Sequence, residues 1–329
     1  MILYTERLIL RPWEEADAEG LYEYAKDDRV GPIAGWPVHT SVEHSREVIR
    51  TILSEPETYA VCLKEDNRAI GSISLMVGQQ AGRDLPEGEG EIGYWIAVPF
   101  WGRGLIPEAA REVIRRGFVD FHLDTLWCGY FEGNVKSRRV SEKCGFTYHH
   151  TNHDILWKAM GDIRTEHMTR LTREEWKNNF TIKKLSESMI PNALDLAWKV
   201  FFEYESPDYS PEGTEEFRRI IHDPEYLAGI EYYGAFDGNR LIGEIGIRPD
   251  RCHICFFFVD GGYHRLGVGT RLFERIKEDF PGRTVTLNSS PYGLPFYKAI
   301  GFLPTEEEQL VKGIRFTPMK YEEKYGRTI

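Results

Sequence analysis

Two stretches of this chain follow the same plan of apolar and polar positions. Residues 92–97 form an apolar, aromatic run that reads as a buried strand, after which Ala110, Val113, Ile114, Phe118 and Phe121 recur at helical spacing. Residues 254–259 repeat the run, and Leu272, Phe273, Ile276 and Phe280 repeat the amphipathic helix. Between strand and helix each copy has a glycine-punctuated loop, Trp101-Gly102-Arg103-Gly104-Leu105-Ile106 in one and His264-Arg265-Leu266-Gly267-Val268-Gly269-Thr270 in the other. Glycine lets backbone approach a ligand, and the first amides of a helix lack an intrahelical partner, so a phosphate is the natural occupant of such a loop. A plain tight turn uses the same residues, and it is the recurrence that favours the anion site.

The surrounding pattern is duplicated too. The first half predicts a strand at 8–10, a helix around Leu21, Tyr22 and Ala25, a loop over 31–37 and a second helix opened by Ser41. Strands follow at 59–63 and 69–77, a glycine- and proline-containing loop at 78–90, and a strand at 91–97. After the loop and its helix come a strand at 125–131, a helix at 135–143 and a terminal pair of strands. The second half predicts a strand at 181–184, helices at 193–202 and around 217–221, and strands at 232–236, 241–247 and 254–259. Its loop and helix then lead to a strand at 284–287, a short helix at 294–300 and strands through 313–321. Both halves therefore read as an α/β succession of strand, two helices, three strands, helix, strand, helix and strands. This is an internal duplication with a period of about 160 residues. The expected division is a domain at 1–176, a linker at 177–180 within the polar stretch 172–179, and a domain at 181–329.

Length and composition fit that division, since 329 residues suffice for two domains that each bury a core. The formal charge of −11 argues against a nucleic-acid backbone as partner and favours cationic ligands. Five scattered cysteines suit a reducing compartment. Cys252 and Cys255 make a C-x-x-C without a second pair, and on a strand their spacing puts the thiols on opposite faces. His149, His150 and His153 lack a nearby carboxylate or cysteine to complete a metal site. No export leader and no membrane-spanning run is evident, so the expected location is cytoplasmic, with no membrane partner. The oligomeric state stays open, a homodimer included.

With these residues in hand, both halves resemble the GNAT superfamily of acetyl-CoA-dependent N-acetyltransferases. The likeness runs over nearly the whole chain, and the first half is similar to the ribosomal-protein and small-amine branch. The resemblance implies two tandem domains of α+β type, each a mixed, mostly antiparallel twisted sheet flanked by helices. It also implies acetyl-CoA as co-substrate, no metal, and an amine acceptor. The superfamily loop pattern, Gln/Arg-x-x-Gly-x-Gly/Ala, is met at 264–269 except that His264 replaces Gln/Arg. The implied cofactor contacts are Val259, Arg265, Leu266, Gly267, Val268, Gly269, Thr270 and Ser290 in the second half. In the first they are Gly102, Arg103, Gly104, Leu105, Asn134 and Ser137. Ile106 stands at the small-residue position there and Pro107 lacks an amide hydrogen, which predicts a looser hold on pyrophosphate.

The resemblance also implies catalytic roles. A tyrosine five residues before the phenylalanine of the final Gly-Phe protonates the departing thiolate; Tyr297 stands there before Phe302, and Ser141 is its first-half counterpart before Phe146. Tyr297 has the alternative of being a core aromatic beside Phe296 and Phe302. Glu91, thirteen residues before Gly104, resembles the strand carboxylate that acts as base, whereas thirteen before Gly267 stands Ile254. Glu203, Glu205, Asp208 and Tyr209 fall on the implied acceptor side, where they either receive a cationic amine or form a solvated loop. The expected activity is acetyl transfer to a primary amine, whether a small cationic amine, an antibiotic or a peptide or protein amine, with the chemistry in the second half. The competing expectation is a non-catalytic acyl-CoA sensor or interaction module. A dinucleotide oxidoreductase is disfavoured because the loops lack the third glycine.

Overall fold

The strand-forming runs assemble into two sheets of matching order. This computed structural model describes residues 1–81 and 85–323, and the chain divides into unit 1, Met1–Asn179, and unit 2, Phe180–Ile329. In unit 1 the strands are β1 (Leu3–Tyr4), β2 (Leu8–Arg11), β3 (Thr58–Leu63), β4 (Ala69–Val77), β5 (Glu89–Ile96), β6 (Thr125–Phe131), β7 (Thr147–Trp157) and β8 (Asp162–Thr172). They are ordered β1-β2-β3-β4-β5-β6-β8-β7, antiparallel except for β5 beside β6. The helices are α1 (Ala18–Ala25), α2 (Gly31–Ala34), α3 (Val42–Val48), α4 (Leu105–Val119), α5 (Val135–Lys143) and α6 (Arg173–Asn178).

Unit 2 repeats the scheme. Its strands are β9 (Thr181–Lys184), β10 (Glu231–Asp237), β11 (Arg240–Arg248), β12 (His253–Val259), β13 (Val285–Ser289), β14 (Leu303–Pro304), β15 (Gln309–Val311) and β16 (Ile314–Tyr321). The order is β14-β16-β13-β12-β11-β10-β9, with β15 also on β16, and only β12 and β13 run parallel. The helices are α7 (Ile190–Val200), α8 (Pro211–Ile220), α9 (Pro224–Leu227), α10 (Val268–Asp279) and α11 (Leu294–Ala299).

The one parallel pair in each sheet positions the site. β5 and β6 pair only over Glu89–Glu91 against Thr125–Trp127, and β12 and β13 only at His253 and Ile254. Beyond those residues the strands part, leaving the facing backbone groups of 92–96 and 255–259 without a strand partner on that side. In unit 2 the parting has a visible cause. Phe256 pairs with Gly246 but Ile254 with Ile247, so Cys255 is a bulge, and a bulge bends its strand. The C-x-x-C is thus a turn residue, Cys252 at φ +48, followed by a bulge residue, and both thiols are free. Among the described residues no group of three or more His, Cys, Asp or Glu side chains could hold a metal, and no helix is long and apolar enough to cross a membrane.

Three segments differ from expectation. Residues 31–37 contain the single turn of α2, opened near Pro32 and closed by Gly35 at φ +94. The polar stretch 172–179 is helical: Thr172 and Glu175 form a reciprocal capping box, and Trp176 is buried with its ring 5.2 Å from Phe118. Residues 203–209 continue α7 as a π-helical turn over Phe201–Glu205 and a 3-10 turn over Ser206–Asp208. Part of the expected loop at 78–90, namely 82–84, lies outside the described residues.

Candidate functional site

Both loops adopt the same backbone form. Gly102 and Gly104 have φ of +75 and +74, and their counterparts Arg265 and Gly267 have +62 and +80, so each helix opens from a left-handed residue. The amides of 102–106 and of 265–269 donate to no group among the described residues, as an anion cradle requires. A Cβ placed on Gly102 would meet nothing within 4 Å, so the space before the loop is open. Unit 2 holds a non-glycine residue in the left-handed region, a strain of roughly 1 kcal/mol. Arg265→Gly is therefore expected to be more stable than Arg265→Ala by about 1 kcal/mol in urea unfolding. That is the order opposite to their helix propensities.

Ile106 packs within unit 1 and also lines the cavity beside the loop. Ile106 is buried, and at the matching position Gly269 lies against Phe296, whose ring is 2.8 Å from where a Cβ would sit. The residue corresponding to Phe296 is the smaller Val140, so each unit combines one large and one small side chain at this junction. Ile106 and Pro107, on which the expected looser hold rests, both line the cavity.

In unit 1 the parting of β5 and β6 opens on a cavity of about 800 Å³. It reaches without a break from Glu91–Ile96 past Gly102, Gly104 and Leu105 to Asn134 and Ser137 at the start of α5. Arg103 is turned away, its guanidinium over Phe100 and its carbonyl accepting from Arg7. Asn134 caps α5, accepting from the Ser137 amide at 3.1 Å. Glu91 lines the cavity, and so does Glu166 on β8, which the sequence reading missed. Glu166 has room only because Gly129 faces it: a Cβ there would stand 2.9 Å from Oε1. The Asn152 side-chain amide donates to its other oxygen at 3.2 Å.

Four neutral groups meet beside these carboxylates. The Tyr94 hydroxyl lies 3.0 Å from Ser137 Oγ, Cys128 Sγ donates to Tyr94 at 3.7 Å, and Ser141 Oγ donates to Cys128 at 3.3 Å. Burial pushes the Tyr94 hydroxyl well above the usual tyrosine range and the Cys128 thiol up to about 11, so both stay protonated near neutral pH. Tyr94 lines the cavity, whereas Ser141 is buried behind Cys128.

In unit 2 the cavity is smaller, about 330 Å³, and none of residues 264–270 lines it. Around the loop the Tyr204 ring packs at a tilt against His264 and Tyr292 at centroid distances of 4.9 and 5.4 Å, and His264 Nε2 donates to the Val259 carbonyl at 2.8 Å. The cavity brings together Tyr297, Ser290, Glu205 and Tyr209, while Glu203 and Asp208 are exposed and away from it. The cause is the π-helical turn, which rotates residue 205 inward and leaves 203 on the solvent side.

Burial pushes the Glu205 carboxyl up to about 7, against the opposing pull of a hydrogen bond from the Ser290 side chain. Tyr297 is raised beyond the usual tyrosine range by burial, then by the charge of Glu205. Glu244, opposite Phe258 on β11, is fully buried with no hydrogen-bond partner for either oxygen among the described residues, and burial keeps it protonated. Glu205 is therefore the titrating carboxyl of the cavity interior. In the unfolded chain it ionises near 4.5, below its folded value, so folding stability falls as pH rises from about 4.5 to about 7. Glu205→Gln removes that loss: we expect a gain of roughly 2–3 kcal/mol at pH 8 and none below pH 4.5 in urea unfolding.

Comparison with known proteins agrees with the duplication. Residues 7–147 and 205–323 each match the acetyltransferase (GNAT) domain family. An "Uncharacterized N-acetyltransferase p20" of Bacillus licheniformis is 29% identical over 180 residues, covering 53% of this chain and 97% of its own. A "Putative ribosomal N-acetyltransferase YdaF" of Bacillus subtilis is 32% identical, covering 43% and 79%. Among solved structures, a GNAT-family acetyltransferase from Bacillus anthracis aligns with a TM-score of 0.47 at 24% identity, covering 53% of this chain and 99% of that one.

Proposed function

Since the chain belongs to the GNAT acetyltransferase family and carries two of its domains in tandem, we propose that it moves acetyl from acetyl-CoA directly to a primary amine, and that unit 1 does so in its continuous cavity. The observation that carries this reading is that one cavity joins a loop of free amides, a parted strand pair and two carboxylates. Acetyl-CoA, when bound, supplies the thioester. The amides of 102–106 receive its pyrophosphate, Lys136, Arg139 and Lys143 line the same end for its phosphates, and the strand edge of 92–95 offers backbone groups to its extended arm.

Glu91 and Glu166 receive the ammonium and take its proton. The need is quantitative: an amine with pKa about 10.4 is neutral in roughly one molecule in 2,500 at pH 7, which costs about 4–5 kcal/mol in the attacking form. Tyr94 and Ser137, kept protonated beside Cys128 and Ser141, hold a proton where the thiolate leaves. The cavity size and the likeness to a protein named for ribosomal N-acetylation favour a protein or peptide amine as the acceptor of unit 1.

The sequence had weighted the second half through Tyr297. Unit 2 keeps that residue together with Glu205 in its own cavity, which supports a second transfer site. The test is thiol release from acetyl-CoA with intact-mass detection across peptides, polyamines and simple amines. Transfer is expected. Coenzyme A binding by calorimetry without transfer to any amine would instead favour an acyl-CoA-binding module.

A further inference from the structure

The second cavity differs from the first in size and lining. Its volume of about 330 Å³ stands at the low end of small-molecule pockets, roughly 300–1,000 Å³, whereas that of unit 1 stands near the top. Its inner wall is aromatic, with Phe201, Tyr209, Phe217, Phe256 and Phe258 on one side of Glu205 and Tyr297. Phe217 stacks on Phe201 at 3.9 Å and meets Phe258 edge-on at 5.7 Å, so the wall is a fixed surface.

One part of the rim is a backbone contact. A Cβ on Gly213 would lie 2.1 Å from the Gly313 carbonyl, and Gly313 itself has φ +76, so the start of α8 meets the β15–β16 turn with no space between. Tyr209 adds a hydrogen bond to the Arg315 carbonyl at 2.9 Å. The charged rim residues are matched in pairs, Lys312 with Glu216 at 3.2 Å and Arg315 with Glu308 at 2.8 Å. A ligand inside therefore meets the Glu205 carboxyl, the Tyr297 phenol and an aromatic wall, while Glu216, the other carboxylate of the lining, is already paired with Arg219 and Lys312.

Resting on the reading of unit 2 as a transfer site, we propose that this unit acetylates a different class of acceptor from unit 1: small primary amines with a single cationic group and an uncharged aromatic or aliphatic tail. The tail lies against Phe217 and Phe258, and the ammonium faces Glu205, which is held by Ser290. Glu205 takes one proton from the ammonium. The free amine attacks the thioester carbonyl, a C–N bond forms and the C–S bond breaks. Tyr297 gives its proton to sulfur and recovers one from the new amide nitrogen, and Glu205 releases its proton to solvent. Diamines, polyamines and peptides are excluded, because a second charge would be buried unpaired against the aromatic wall.

The test uses the full chain with Gly104→Val, which silences the loop of unit 1. Coenzyme A binding and amine binding are followed by calorimetry, and kcat/KM is measured for 2-phenylethylamine and hexylamine against putrescine and lysinamide. We expect coenzyme A still to bind and the monocationic amines to be preferred at least 10-fold. Glu205→Gln should weaken phenylethylamine binding at least 10-fold, and Phe217→Ala should raise its KM with coenzyme A affinity unchanged. Equal or better use of the diamines would overturn the acceptor class while leaving unit 2 a transferase. Loss of coenzyme A binding in the Gly104→Val chain would overturn both, since unit 2 would then hold no cofactor.

Discussion

Gly104→Val is expected to weaken coenzyme A binding to unit 1 by about 100-fold or more and to remove its acetyl transfer. Gly104 stands at φ +74 as the residue from which α4 begins, and a β-branched side chain is strongly disfavoured there. To escape the strain the loop must turn, and the free amides of 102–106 then no longer converge. Charge-assisted hydrogen bonds contribute about 1.5–3 kcal/mol each, so misdirecting two of them costs roughly 3–6 kcal/mol, or 10² to 10⁴ in affinity. The buried start of α4, with Leu105, Ile106 and Pro107 in the core, should keep the fold. Calorimetry on the variant, with circular dichroism to verify folding, checks the result. An unchanged affinity in unit 1 would mean that the loop does not hold the cofactor.

Glu166→Gln is expected to lower acetyl transfer by unit 1 by about 10² to 10⁴ while leaving coenzyme A affinity within a factor of two or three of wild type, the range typical of a lost general base. The carboxylate lines the cavity but is borne by β8, remote from the cofactor loop. Glutamine keeps the size that Gly129 accommodates and an oxygen that can still accept from Asn152. Glu91→Gln provides the comparison. If Glu91 alone is the base, the two phenotypes exchange, and Glu166→Gln remains nearly as active as wild type. Steady-state kinetics with any acceptor found for unit 1 separates these outcomes.

Much of the scaffold was legible because local pattern decided it. The expected strand at 125–131 and helix at 135–143 coincide with β6 and α5, since β-forming residues dominate the first and Asn134 caps the second, with Gly145 just past its end. The capped helix α6 was also written in the chain, as Thr172 followed three residues later by Glu175, a capping box hidden among polar residues. Other features depend on partners distant in sequence. Glu166 faces the cavity because β8 pairs with β6 in a register that brings it beside Gly129, which no local signal reports. Glu205 reached the cavity wall through a π-helical turn, and spacing rules for an α-helix misplace such residues. Ile106 is compensated across the junction by the small Val140, where unit 2 has Gly269 against Phe296, a pairing that only the packing shows.

The central claim is that the free amides of 102–106 cradle the cofactor of unit 1. Hydrogen–deuterium exchange on the full chain, with and without coenzyme A, tests it most directly, since an amide that gains an acceptor exchanges more slowly. The account predicts slowed exchange in the peptide spanning Trp101 to Ile106. Unchanged exchange there at saturating coenzyme A would contradict it, whether or not residues 264–269 are protected.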